Sequence, residues 1–346
     1  MARTVAAQSP PALTLAPRLR RGATNPPLYR QVCDRIEELA MSSPLGDEQP
    51  LPPESQLLER FGVSRGTLRR ATEELAREGL LRIEPGRGTF VVQATKVRWL
   101  VWDRLAEVAR PDSRFDDDLS SFIPDFEDSE LCIQRLRDSA AYRDAGTIFI
   151  APDNSLQALR EQALGDGKRV LVPTYGMRRG FVLLNGAELP ASTHALAATL
   201  DGMERNGTNL TLTQLRALEP IGLVVTGAVA VTNRGLHFGF GNGFFDLEWG
   251  LLRHCSLTTS RTPVVVIVHD CQVLDADIRP SAHDAVADLI ITPAGIRACE
   301  PSLPKPEGIF WDEIRMSRDE GGPYVRDLLA EHEPPRPRAR RPIRPI

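Results

Sequence analysis

The sequence predicts an α/β protein in two parts: a small helical domain closed by a β-hairpin, spanning 27–93, and a larger α/β domain over 94–332. Three observations carry this. Two amphipathic stretches separated by Gly62 are followed by a pair of short strands around Glu84-Pro85-Gly86-Arg87. From Lys96 onward, short runs of Ile, Leu and Val alternate with helical stretches. At 346 residues with 42% hydrophobic side chains, the chain exceeds one typical domain and holds enough apolar residues for a second, larger core.

In the small domain, Tyr29, Val32, Ile36 and Leu39 mark a first helix beginning after Pro26-Pro27. Pro53 and Glu54 open a second, carrying Leu57, Leu58 and Phe61, which Gly62 and Val63 end in a tight turn. Ser64 has the side-chain oxygen to cap the third, where Leu68, Ala71 and Leu75 form the buried stripe. Arg65 and Arg69 then share the opposite face, one turn apart. A helix that enters the major groove needs such residues, because an arginine fork binds guanine bidentately, worth about 1–3 kcal/mol of base discrimination. Thr67 and Arg70 suit phosphate contacts. Leu80–Glu84 and Gly88–Val92 read as strands, and Pro85 then Gly86 suit a type II turn. That turn presents Arg87 at its tip for the minor groove or a phosphate, with Arg82 as a second candidate. The pattern is a winged helix-turn-helix that reads duplex DNA.

Residues 28–92, with LPPESQLLERFGVSRGTLRRATEELAREGLL and GRGTFV, resemble the DNA-binding domain of the GntR family of bacterial transcriptional regulators. The resemblance implies a homodimer on a palindromic operator and a C-terminal domain that senses a metabolite; DNA binding itself requires no cofactor. It adds Ser64 and Gly88 to the expected DNA-binding residues. One departure is Ser55, where the family usually has an arginine after the glutamate; one DNA contact is thereby removed.

Charge is unevenly placed. Residues 1–93 carry a net +2, residues 94–333 a net −11 and residues 334–346 a net +5. The acidic large domain is therefore not a second nucleic-acid surface, and the tail PPRPRARRPIRPI offers sequence-independent attraction to phosphate. Residues 1–26 and the tail 333–346 are too rich in Pro and Arg to build a core, and disorder is expected there. No apolar run approaches the roughly 18 residues of a membrane span, and the N-terminus lacks the apolar core of a secretory signal, so a cytoplasmic protein is expected. Cys33, Cys132, Cys255, Cys271 and Cys299 are scattered without a CxxC pair, which excludes a disulfide framework or zinc site of ordinary spacing.

In the larger domain, 147–150, 169–172, 223–225, 264–268 and 289–291 read as strands, with helices over 155–164 and 246–253, the writing of an open α/β sheet. Ligands in such sheets sit beyond the C-terminal ends of strands. Three stretches answer that description. Gly239-Phe240-Gly241-Asn242-Gly243 follows an apolar hairpin expected around Gly227 and Val231; it is either a tight turn or a cradle of backbone N–H groups for a phosphate. His269-Asp270 and His283-Asp284 pair imidazole with carboxylate and suit either hydrogen bonding within the fold or positioning of a water, metal or amine. Pro152-Asp153-Asn154-Ser155 is a helix cap or part of a ligand site.

The order KVRWLVWDRL, APDNSLQALREQALGDGKRVLVP, VTGAVAVT, GFGNGFFDLEWGLL, VVVIVHDCQVL, HDAVADLIITP and GIFWDEI resembles the 5-formyltetrahydrofolate cyclo-ligase family, in particular its divergent methenyltetrahydrofolate-synthetase-like branch, over about residues 95–330. The resemblance implies an α/β sandwich and a reaction in which Mg-ATP closes a formyl group into the methenyl bridge of tetrahydrofolate. It implies Gly239, Gly241, Asn242 and Gly243 around ATP phosphates, Asp246 near magnesium, Lys96 and Arg98 as the basic pair at the domain start, and Asn154 at the substrate position. The chain departs from the pattern at Phe240 and Asn242, where a basic residue is usual, at Pro152-Asp153-Asn154 in place of Pro-x-Glu, and at Phe244-Phe245, which lack phenolic hydroxyls. Phosphoryl transfer depends on positioned positive charge, so these departures cost catalysis more than binding. The expectation is a DNA-binding regulator whose second domain senses a small anionic ligand, a folate or nucleotide. The competing readings are a working cyclo-ligase with an accessory DNA-binding domain and a dimerisation scaffold with an empty pocket.

Overall fold

A computed structural model describes residues 26–45, 49–116, 119, 122–239, 244–300, 303–311 and 322–332. Gly241, Asn242, Gly243, all of the expected N-terminal arm but Pro26, and the basic tail lie outside the described residues. The chain divides into two compact units, 1–96 and 97–346.

The first unit holds α1 (Leu28–Ser42), α2 (Glu54–Phe61), α3 (Arg65–Arg77) and the antiparallel pair β1 (Leu81–Glu84) and β2 (Gly88–Val91). Gly62 ends α2 at φ +63° and donates its N–H to the Leu58 carbonyl, a left-handed cap that a side chain would strain. Ser64 Oγ then accepts the Thr67 N–H at 3.2 Å and starts α3. The stripe Leu68, Ala71 and Leu75 is buried together with Val32, Ile36 and Leu80. Each fully buried Leu or Ile among these contributes about 1.5–3 kcal/mol. Between β1 and β2, Gly86 sits at φ +77°, as the type II turn requires.

A further helix, α4 (Gln93–Val108), contains the boundary between the units, three residues beyond the expected position. At its start, Thr95 Oγ1 donates to the Gly79 carbonyl at 2.9 Å.

The second unit is built on β3 (Thr147–Ile150), β4 (Arg169–Pro173), β5 (Phe181–Asn185), β6 (Thr208–Asn209), β7 (Leu223–Thr226), β8 (Ala230–Thr232), β9 (His237–Phe238), β10 (Val264–Ile267), β11 (Val273–Leu274), β12 (Leu289–Thr292) and β13 (Gly295–Ala298). Eight of them form one sheet in the order β13-β12-β10-β7-β3-β4-β5-β6, and β11-β8-β9 form a small second sheet. The run β12, β10, β7, β3 and β4 is parallel, with antiparallel strands at both edges. β3, β7 and β10 are buried throughout, which explains why they are written as unbroken apolar runs and not as alternating ones.

One expectation holds only in part. Gly227 does not belong to the hairpin that precedes the glycine loop, because β7 ends in the large sheet; the hairpin is β8 with β9 in the small sheet, and it holds Val231, paired with His237. A Cβ on Gly227 would lie 2.9 Å from Asp153 Oδ2 and 3.0 Å from Ser155 Oγ, so glycine serves a close approach to β3's loop.

The topology fixes where a ligand belongs. After β3 the chain crosses to β4 on one side, and it later returns to lay β7, β10 and β12 on the other. The order therefore reverses between β3 and β7, and the crevice beyond their C-terminal ends is the expected ligand position in an open α/β sheet.

Candidate functional site

In the first unit, α3 presents Arg65 and Arg69 to solvent with side chains 70% and 61% exposed, as the stripe on its other face dictates. Both point a guanidinium at one oxygen: Arg65 Nε lies 3.0 Å and Arg69 Nε 3.5 Å from Glu54 Oε1. Arg70 is held differently, its guanidinium carbon 3.8 Å from the Tyr29 ring centroid, a cation–π contact that keeps it at one end of the exposed face. Thr67 Oγ1 is 2.9 Å from Ser64 Oγ, so both hydroxyls share the work of starting the helix. On the wing, Arg82 and Arg87 both meet the Glu84 carboxylate and lie over the Phe90 ring at 5.3 and 5.8 Å. Gly88 follows at φ +134°, where a Cβ would clash with Pro50.

In the second unit, the switch point gathers residues from four stretches of chain. Asp153, after β3, accepts the Gly227 N–H on Oδ2 at 2.8 Å, tying the ends of β3 and β7 together. Burial pushes its carboxyl up to about 6, against the opposing pull of the Gly227 hydrogen bond and Arg160. Arg160 is itself buried and spends its donors on the Ala151, Asp153 and Ala198 carbonyls. Glu248, in the helix Phe244–His254, is buried, and burial with the nearby Asp153 and Asp246 raises it well above the usual range. Asp246 is pushed up to about 7 by burial and then by Asp284. Its Oδ1 accepts the Ala285 N–H at 2.8 Å. Burial also raises Asp284, which accepts the Ser281 N–H at 2.6 Å and lies 3.5 Å from His283 Nε2. His237, against the Phe245 ring at 4.8 Å, is lowered to about 4 by burial and is neutral at pH 7.

Two polar atoms in this neighbourhood, Ser155 Oγ and His237 Nδ1, are buried without a hydrogen-bond partner among the described residues. Each unsatisfied group of this kind costs about 1–3 kcal/mol, which a ligand or water with a complementary polar edge would recover. Carboxyls with raised pKa values donate as well as accept, so the crevice suits a hydrogen-bonding group of little net charge more than a bare anion.

Among the described residues, no set of three or more His, Cys, Asp or Glu side chains is arranged to hold a metal. Magnesium needs no such cage: it is commonly bound by one or two carboxylates together with substrate phosphates. Asp246 with Asp284 beside it is a donor set of that size, and a divalent cation would relieve the repulsion that raises Asp246.

Residues 92–293 match the model of the 5-formyltetrahydrofolate cyclo-ligase family, more than half of the chain. The chain belongs to that family. Residues 28–91 match the model for bacterial regulatory proteins of the gntR family. The methenyltetrahydrofolate synthase domain-containing protein of Homo sapiens is 35% identical over 216 residues, 61% of this chain and 55% of that protein. The chain spans between 55% and 65% of the length of such curated relatives. The HTH-type transcriptional repressor NagR of Bacillus subtilis (strain 168) is 42% identical over 65 residues, 19% of this chain and 27% of that one. The NMR structure of Aquifex aeolicus 5,10-methenyltetrahydrofolate synthetase aligns at 15% identity and a TM-score of 0.38, covering 61% of this chain and 95% of that one.

Several expectations, some read from the residues and some from the family resemblance, meet a different local geometry in the structure. Lys96 is buried in the first unit, where its ammonium donates to the Ser43 carbonyl and, at 2.8 Å, to Ser43 Oγ. Arg98 is half-buried on α4, and burial lowers its pKa. His269 and Asp270 do not form an acid–base pair: His269 Nδ1 accepts the Cys271 N–H at 3.2 Å as a cap, and Asp270 Oδ2 accepts the Ala294 N–H at 3.1 Å. Asn154 Nδ2 is turned to Asp112 Oδ2. The helix cap expected from the stretch Pro152-Asp153-Asn154-Ser155 makes no side-chain hydrogen bond to the helix start, and the Asp153 side chain accepts from Gly227 instead. Of the glycine loop, Gly239 alone lies within the described residues, and a Cβ there would meet nothing within 4 Å.

His237 and Glu248 were not singled out by the sequence, and in the stretch Pro152-Asp153-Asn154-Ser155 the residue expected at the ligand was Asn154, with Asp153 and Ser155 named only as its neighbours. The visible signal was Glu248, a lone carboxylate inside the apolar run Leu247-Glu248-Trp249-Gly250-Leu251-Leu252.

Proposed function

We propose that this protein is a DNA-binding transcriptional regulator whose cyclo-ligase-family unit binds a folate or nucleotide and couples occupancy to operator affinity. The single observation that carries the DNA half is the capped helix α3, which holds two largely exposed guanidiniums one turn apart over a buried apolar stripe. Duplex DNA, a palindromic operator and a homodimer follow from that reading together with the gntR-family segment. Coupling requires that the ligand bind two states of the protein unequally, and effects of about 1–3 kcal/mol are usual. Genome-wide selection of bound fragments with the full chain tests this directly. Recovery of no common sequence would overturn it, and the genes beside recovered sites would indicate the ligand.

A second reading, ATP- and Mg-dependent 5-formyltetrahydrofolate cyclo-ligase activity, is favoured by the family match and by the paired carboxylates Asp246 and Asp284. ATP and magnesium would be its cofactors, with magnesium held at Asp246 and phosphates at the glycine loop. The positive charge such chemistry needs is missing at Phe240 and Asn242, which favours binding without turnover. Conversion of 5-formyltetrahydrofolate at an enzyme-like rate, abolished by Asp246→Asn, would replace the sensor reading with this one.

A further inference from the structure

Four of the five arginines assigned to DNA come in two pairs in the first unit, and each pair faces one glutamate, while Arg70 lies over the Tyr29 ring. Arg65 and Arg69 converge on Glu54 Oε1 at 3.0 and 3.5 Å. Arg82 and Arg87 converge on Glu84, with Arg87 at 2.5 Å from Oε2. The pairs lie on different elements, α2 with α3 in one case and the β1–β2 wing in the other, so neither arrangement follows from the other. Glu54 offers both of its arginines the same oxygen, whereas Glu84 offers Oε1 to Arg82 and Oε2 to Arg87. Glu54 Oε1 and Glu84 Oε2 are shielded from solvent, yet neither accepts a hydrogen bond of good geometry among the described residues. These contacts are held by charge and not by directed bonding, so a phosphate or base edge offering better geometry can displace them.

Resting on the DNA-binding reading, we propose that Glu54 and Glu84 are specificity-determining positioning residues: each stands in for a DNA phosphate on two arginines and thereby suppresses binding to non-operator duplex. Non-specific binding is almost wholly phosphate neutralisation, with log K falling by about 0.9 per log salt for every phosphate contacted. A guanidinium already facing a carboxylate gains little by exchanging it for a phosphate. At the operator, Arg65 and Arg69 gain guanine edges as well, which a carboxylate cannot imitate. The glutamates therefore weaken both modes of binding but weaken the non-specific one more, and the ratio between the two rises.

The test uses the full chain and two duplexes of equal length, the operator recovered by selection and a scrambled sequence, each titrated over a range of salt. Glu54→Gln, Glu84→Gln and the double variant keep side-chain shape and remove the charge. In the double variant we expect scrambled-duplex affinity to rise by roughly five- to thirtyfold near 0.15 M salt and its salt slope to steepen by about 1 to 2, as one or two more phosphates are neutralised per unit. Operator affinity changes much less, so discrimination falls. Glu54→Asp and Glu84→Asp, which keep the charge, restore most of it; a purely structural role would instead lower thermal stability and weaken both duplexes together. Unchanged discrimination and slope overturn the inference, as does a change in the preferred base at one operator position with scrambled-duplex affinity unaltered, which would make Glu54 a base reader itself. If the wild-type chain shows no preference for any sequence, the DNA-binding reading falls first and this one with it.

Discussion

Asp153 is the side chain through which the switch point can be interrogated without knowing the ligand. Its carboxyl is raised from about 3.8 to about 6 because burial disfavours the charged form more than Arg160 and the Gly227 N–H favour it. A carboxyl whose folded pKa lies above its unfolded one binds its proton more tightly when folded. The associated stability is fully present below about pH 4 and is lost as pH rises through about 6. The difference, a little over two pKa units at 1.36 kcal/mol each, amounts to about 3 kcal/mol. Asp153→Asn removes the titration while leaving an oxygen to accept the Gly227 N–H. The variant and wild type therefore differ by some fixed packing term at pH 3.5, and the variant gains about 3 kcal/mol on that difference by pH 8. For a unit of this size that is roughly 6–12 °C in Tm. Unfolding in denaturant or by heat, followed for the second unit's transition without nucleotide or magnesium, measures it. A difference that does not change with pH would show that Asp153 is not desolvated. One that changes in the opposite direction would show that it is paired with a cation.

Arg65→Ala or Arg69→Ala should weaken operator binding about ten- to a hundredfold in a gel-shift or anisotropy titration, from the loss of one base contact each. Gly227→Ala places a methyl 2.9 Å from Asp153 Oδ2 and should destabilise the second unit and abolish its ligand response while leaving operator binding to the first unit measurable. In thermal-shift screening, a folate or nucleotide at a hundred times its dissociation constant should stabilise the protein by about 2.7 kcal/mol. No shift with any of them supports the empty scaffold.

Much of the first unit was legible because its signals are local. Ser64 caps, Gly62 and Gly86 take positive φ, and Leu68, Ala71 and Leu75 recur at helical spacing, all within a few residues of the features they determine. The five parallel strands of the second unit, β3, β4, β7, β10 and β12, were legible for a related reason, since burial on both faces makes them mostly Ile, Leu, Val and Phe, with the polar Thr147, Arg169, Thr226 and Thr292 only at strand ends. The site was not. Asp153 and Gly227 are 74 residues apart and meet only because the strand order reverses between β3 and β7, which no local pattern reports. Nor could the sequence show that Lys96 meets Ser43, because a lysine at a domain start reads alike whether it meets a phosphate or a backbone carbonyl. His269 is ambiguous in the same way, since a histidine beside an aspartate is also what a short cap looks like.

What the buried cluster implies about ligand recognition follows from its protonation. At neutral pH, His237 carries no charge and Asp246 sits near its midpoint, while burial shifts Glu248 toward its neutral form. A site meant to grip phosphates by itself would place cations there, and the arginine nearest Asp153, Arg160, has committed its donors to backbone carbonyls. The crevice between β3 and β7 is therefore suited to the hydrogen-bonding edge of a ligand, with any charged portion left to magnesium or to surface cations. On the proposed sensor reading, such a division would separate recognition from catalysis: neutral donors and acceptors would fix which ligand enters, and a loop sequence without cations at Phe240 and Asn242 would give little electrostatic stabilisation to a reaction. A ligand's affinity should then fall as Asp246 ionises, between about pH 6 and 8, when magnesium is withheld, and recover when it is supplied. Isothermal titration across that range, with and without magnesium, decides the point, and affinity that is flat with pH in both series would refute it.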